Sequence, residues 1–177
     1  MHVRWLIPLG TGAAAVAQVA YAAQYMTIAQ AQRAAFPAAT SFDPVQPTFD
    51  AATLTELAAP AGWSSRVWQA RSGDQRLGWV LEDRVIGKSE LITYALALDP
   101  AGAVLSLEVL DYRESHGGEI RLPAWRRQFV GKTAHDPVAL NRDIKNISGA
   151  TLSCRHITEG VQRLLQVYER ALRHVAG

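Results

Sequence analysis

The stretch "LITYALALDPAGAVLSLEVLD" (residues 91–111) sets the fold. Ile92, Tyr94, Leu96 and Leu98 recur at every second position. Leu105, Leu107 and Val109 do the same, with Ser106 and Glu108 between them. A period of two places one side-chain row on each face of a strand, so both halves read as strands with one face buried. The Asp99-Pro100-Ala101-Gly102 segment between them is a tight turn, which makes the pair antiparallel.

The pattern extends upstream. "SRVWQAR" (65–71) and "RLGWVLE" (76–82) flank the turn signal "SGD" (72–74) and read as a hairpin. The two pairs together give a four-strand meander. Before them, "TIAQAQRAAFPAA" (27–39) reads as a short helix stopped by Pro37. "SFDPVQPTFD" (41–50), with Pro44 and Pro47, reads as a linker. Asp50 caps a second short helix over residues 51–58.

Downstream, "YRESHGGEI" (112–120) breaks the strand pattern at Gly117 and Gly118. "LPAWRRQFVGK" (122–132) reads as a short helix with Pro123 in its first turn and Gly131 near its end. On it, Trp125 and Phe129 are core anchors, and Arg126 and Arg127 form a solvated face. After a polar connection, Ile157, Val161, Leu164, Leu165, Tyr168 and Leu172 recur at helical spacing, with Arg163, Glu169, Arg170 and Arg173 on the opposite face. Gly160 inside that helix costs about 1 kcal/mol in propensity and suggests close packing. Helices, a meander and helices again define one α+β domain over residues 23–177: an antiparallel meander sheet packed with helices, closed by a C-terminal helix.

The first 22 residues, "MHVRWLIPLGTGAAAVAQVAYA", read differently. One early cation, Arg4, precedes an apolar, alanine-rich run that ends in the small-x-small pattern Ala20-Tyr21-Ala22. The segment reads as a signal peptide, cleaved after Ala22 or Ala23, or as an uncleaved N-terminal membrane anchor. Either one exports the domain, so the expected location is periplasmic, or membrane-anchored facing the periplasm.

Composition removes several function classes. The net charge of +2 and the lack of a basic run give no footprint for nucleic acid. The single cysteine, Cys154, cannot form an internal disulfide or a cysteine-rich zinc site. The five histidines show no metal-ligand spacing, and no metal site is expected.

The remaining motif is "ISGATLSC" (147–154), which opens the last helix. The N–H groups at a helix start have no intrahelical partner, and the dipole there favours negative charge. Such a terminus either takes a side-chain cap from its own hydroxyls or holds a phosphate. Gly149 and Ala150 keep the approach open. Ser148, Thr151 and Ser153 supply hydroxyls, one of which is a site for esterification.

"SGATLS" resembles the S-G-A-T-x-S motif of the FMN-binding domain family. That family includes flavin subunits of the sodium-pumping quinone reductase and of the Rnf electron-transport complex. "AAFPAATSF" resembles the family's early small-Phe-Pro segment, "YRESHGG" its Glu-Thr-Pro-Gly stretch, and "AWRRQFVGK" its aromatic-x-x-Gln-Phe-x-Gly-Lys element. The resemblance implies FMN held covalently by a phosphoester on Thr151, attached by a separate flavin transferase that uses FAD and magnesium. It further implies FMN contacts from Ser148, Gly149, Ala150, Ser153, Glu114, His116 and Gly117, with no residue of the chain itself catalytic. The expected function is an electron carrier served by a membrane-bound electron-transfer partner. The alternatives are a small flavin-dependent reductase, or an exported non-redox module whose SGAT loop is only a helix cap. The sequence departs from the family pattern at Lys145-Asn146, where an aspartate often precedes Ile147, and at Ser115-His116, where Thr-Pro is usual.

Overall fold

The structure, a computed structural model, describes residues 23–175. The expected signal or anchor over residues 1–22 lies outside that range. Among the described residues, no helix is long and apolar enough to cross a membrane.

A six-stranded antiparallel sheet organises the chain. Its strands are β1 (Ala23–Gln24), β2 (Ser41–Val45), β3 (Arg66–Ser72), β4 (Gln75–Ile86), β5 (Leu91–Leu98) and β6 (Val104–Tyr112), in the spatial order β1-β6-β5-β4-β3-β2. Strands β3 to β6 are the expected meander. The helices are α1 (Ile28–Ala35), α2 (Ala51–Glu56), α3 (Pro123–Arg126) and α4 (Thr151–Val167), which gives the α+β class read from the sequence. The Thr27 side chain and Gln30 form a capping box at the start of α1, and Asp50 Oδ1 accepts from Thr53 N at 2.8 Å to start α2.

Three expectations are corrected. The stretch 41–50 is not all linker, because Ser41–Val45 pairs with β3 at the sheet edge. Pro44 is compatible with that position, since an edge strand has one side without a ladder partner. The sheet is also buried on both faces. Ile92, Tyr94, Leu96 and Leu98 pack with Ile157, Val161 and Leu164 of α4. Ala95 and Ala97, on the other face, are small enough to seat α1 together with Phe36, Val80 and Leu110. Finally, Leu105 does not point inward: the register steps from Leu98↔Val104 to Ala97↔Ser106. That bulge turns Val104 into the core and leaves Leu105 at 41% exposure.

Helix α4 lies across β4 and β5. Each of its fully buried aliphatic side chains contributes about 1.5–3 kcal/mol. A Cβ at Gly160 would overlap the Tyr94 hydroxyl and press on Val85. The missing side chain is thus what lets helix and sheet approach. Gly160→Ala is expected to destabilise the domain by about 1–3 kcal/mol through overpacking, read as a lower urea midpoint with an unchanged m-value.

Arg163 is also corrected. It does not belong to the solvated face of α4 but is buried at 8% exposure. Its Nη2 lies 3.5 Å from Asp83 Oδ2 and its Nη1 donates to Ala58 O at 3.2 Å. Asp83 also accepts from Trp63 Nε1, the Tyr94 hydroxyl and Arg84 N, each at 2.8 Å. Burial, followed by the charge of Asp83, raises the Tyr94 hydroxyl well above its ordinary range and keeps it a donor.

Candidate functional site

Two loops meet at the start of α4. One follows β6 and runs through the Gly118–Arg121 turn; the other brings Ile144 to Ala150 into the helix. The Tyr112 hydroxyl donates to His116 O and lies 3.4 Å from Ser153 Oγ, so one side chain ties β6 to both loops. Burial raises the Tyr112 hydroxyl, which keeps it protonated. Gly117 has φ +84, and a Cβ there would sit 2.8 Å from the Tyr112 oxygen and 3.1 Å from Ala150 Cβ. The two loops touch backbone against methyl as a result. Between them opens a hollow of about 450 Å³ lined by Ser115, His116, Gly117, Arg121, Leu122, Ser148 and Gly149, among others.

The hydroxyls of "ISGATLSC" have separate fates. Ala150 is the N-cap residue of α4, and no side chain caps the helix. Ser148 is exposed and faces the hollow with Gly149, which has φ +86 and open space where a Cβ would stand. Thr151 is the first helical residue and is exposed, and its Oγ1 accepts from Asn146 Nδ2 at 3.0 Å. The other amide atom of that side chain, Asn146 Oδ1, is buried without a partner. Ser153 is turned into the core at 4% exposure, against Tyr112. Cys154 is fully buried, and burial raises its thiol, so it packs as a small apolar residue.

The element preceding the loop is its scaffold. Trp125 and Phe129 pack edge to face, centroids 5.2 Å apart at 72°. Trp125 Nε1 donates to Lys145 O at 2.8 Å, and Gln128 Oε1 accepts from Lys145 N at the same distance. The backbone just before Asn146 is therefore clamped on both sides. Lys132 pairs with Asp143 at 2.8 Å, and Asp143 Oδ1 accepts from Ala139 N at 2.7 Å. Arg126 is not part of a solvated face: it pairs with Glu108 and donates to Leu107 O at 2.7 Å and to Arg121 O at 2.9 Å. Arg127 is exposed, as expected.

Glu114 is turned away from the hollow. Its Oε1 accepts from Ser89 N at 2.6 Å and Glu90 N at 2.9 Å, which locks the β4–β5 turn to the end of β6. From α4, His156 Nδ1 meets Ile86 O at 2.6 Å and holds the same turn. Burial works to raise the Glu114 carboxyl, but the backbone N–H groups of Glu90, Ser89 and Lys88 outweigh it and keep it below its ordinary 4.5. A depressed folded value contributes stability that is present above the unfolded value and lost as pH falls through the folded one. Glu114→Gln is expected to flatten the stability–pH curve below about pH 4.5, checked by urea midpoints from pH 6 to 3; parallel curves for the two proteins would refute the latch.

Arg121 is a cation in the hollow that sequence reasoning missed. Its Nε donates to Gly118 O at 3.0 Å, its guanidinium stacks 3.9 Å from the Tyr25 ring, and among the described residues it has no carboxylate partner. In the sequence, Asn146 stands out only as a departure from a motif. Its contact with Thr151 comes from the turn between them, which spacing alone does not reveal.

The site is thus an exposed threonine on the first turn of a long helix, beside a polar hollow with glycine backbone on two sides. Its open, uncapped N–H groups, the hydroxyl of Ser148 and Arg121 match the needs of a phosphate-bearing ligand. This defines a small α+β ligand-binding domain. No curated protein matches the chain. Residues 87–166 match the model of the FMN-binding domain family. The match begins at the β4–β5 turn and ends within α4, so it spans Glu114, His116, the Trp125–Lys132 scaffold and the SGAT loop. The match supports FMN binding by this domain, and the residues in the hollow fit it.

Proposed function

We propose that the protein is an exported electron-transfer flavoprotein that carries FMN through a phosphoester on Thr151. The observation that supports this best is the state of Thr151, whose hydroxyl is exposed, oriented by Asn146 and unused in capping α4. Attachment requires a flavin transferase with FAD and magnesium. Thr151 Oγ1 forms the new bond to the FMN phosphorus, the bond from that phosphorus to AMP breaks, and the hydroxyl proton leaves with the products. The uncapped N–H groups of α4 and Ser148 hold the phosphoester charge. His116 and Arg121, which line the hollow, would border the ring, and Gly117 and Gly149 would let backbone approach it. When bound, FMN supplies one- and two-electron chemistry; the chain supplies attachment, orientation and electrostatics.

Export by the 1–22 segment gives the tether a purpose, since a covalent cofactor does not dissociate into a dilute compartment. The partner in this reading is a membrane-bound reductase.

The deciding experiment is intact mass of the protein produced with and without a flavin transferase. A gain equal to FMN less one water, mapped to the Thr151 peptide, is expected only with the transferase. An unmodified mass in both samples would overturn the reading. Asn146→Ala is expected to slow flavin attachment roughly tenfold, the size of one hydrogen bond, measured as initial rate by in-gel fluorescence. Asn146→Asp, whose carboxylate would accept from the Thr151 hydroxyl instead of donating to it, should recover part of that rate.

A further inference from the structure

A second cleft, of about 600 Å³, shares no lining residue with the FMN hollow. One wall is apolar, formed by Trp63, Val85 and the cross-strand pair Ile86 and Leu91. Ile86 and Leu91 are 55% and 50% exposed, high for large aliphatic side chains placed side by side. The other wall is the face of α4 that carries His156, Glu159 and Arg163, spaced three and four residues apart.

The polar groups of this cleft fall into two sets. Asp83 and Arg163 are committed to each other and to the fold, as described above. His156 and Glu159 retain capacity. His156 Nδ1 faces two carbonyl oxygens, Ile86 O at 2.6 Å and Gly87 O at 3.2 Å. A carbonyl only accepts, so Nδ1 carries a proton, and Nε2 is the ring nitrogen left to accept when the ring is neutral. Glu159 is exposed and has no ion pair or side-chain hydrogen bond among the described residues, which leaves a second acceptor one turn along. The formal charges balance, Asp83 against Arg163 and Glu159 against Arg84, so the cleft has no net preference for an ion. An apolar wall, an aromatic side chain and a few convergent polar groups are the usual makings of a small-molecule site.

We propose that this cleft binds a neutral aromatic ring bearing hydroxyl groups. The ring packs against Trp63, Ile86 and Leu91, and its hydroxyls donate to His156 Nε2 and the Glu159 carboxylate. The inference does not depend on flavin attachment, so it stands or falls separately from the Thr151 reading.

The test is a titration of the full chain with resorcinol, followed by NMR at the Trp63 indole N–H and the His156 ring. The counterpart probe is 1,3-dimethoxybenzene, which has the same ring without donors. Resorcinol is expected to give saturable shifts at both residues, and dimethoxybenzene to bind roughly tenfold more weakly, the size of one or two hydrogen bonds. Glu159→Gln, a change at an exposed position that leaves the fold intact, should weaken resorcinol several-fold. Equal affinity for the two probes, or no saturable shift at Trp63 and His156, would overturn the proposal.

Discussion

Thr151→Ala is expected to abolish covalent FMN completely while the domain keeps its fold. The hydroxyl oxygen is the only atom of this side chain that can carry the phosphoester, so no partial attachment should survive. The fold should hardly notice. Thr151 is exposed at the first position of α4, and alanine is the better helix former there. The substitution removes a single hydrogen bond, the one from Asn146, so the stability change should stay within about 1 kcal/mol. The check is paired: in-gel flavin fluorescence after co-expression with a transferase, and a thermal melt of the same sample. Fluorescence that persists through denaturation in the variant would move the attachment elsewhere. Absent fluorescence accompanied by a collapsed Tm would mean that the assay had read unfolding.

The largest stability effect belongs to Asp83. Asp83→Ala removes the acceptor for Trp63 Nε1, the Tyr94 hydroxyl and Arg84 N together. It also leaves Arg163 buried without its carboxylate. Breaking one side of a buried pair costs about 3–5 kcal/mol, because the remaining charge stays desolvated. For a domain of this size that is a fall in Tm of roughly ten degrees. The origin can be isolated by pairing it with Arg163→Met, since the double variant should be more stable than Asp83→Ala alone. Additive losses would instead assign the effect to the Trp63 and Tyr94 hydrogen bonds.

These two positions show how differently sites can be read from a chain. Thr151 is legible through the resemblance of its contiguous motif to the FMN-binding domain family; its residues alone leave both a helix cap and a phosphate site open to reading. Asp83 and Arg163 lie far apart in the chain, on a strand and on the last helix. The period of α4 places Arg163 with charged neighbours and so on a solvated face. What buries it is the loop at Ala58–Trp63 closing over that part of the helix. Glu114 shows a related limit: a carboxylate in a glycine-rich loop suggests ligand contact, and spacing does not reveal that the backbone N–H groups of another turn take its Oε1.

By itself the sequence determined the class of fold, the strand pairs within 65–82 and 91–111, the cap at Asp50 and the helix after the SGAT loop. Each of these depends on local periodicity or contiguous chemistry, which a linear chain records directly. Tertiary structure alone decided that residues 41–45 join the sheet, that a bulge exchanges Leu105 for Val104 in the core, and that Arg121 enters the hollow. It also decided that Ser153 turns inward while Ser148 and Thr151 remain exposed. Those outcomes depend on which distant groups compete for the same hydrogen bonds and the same space, and no spacing along the chain encodes that competition.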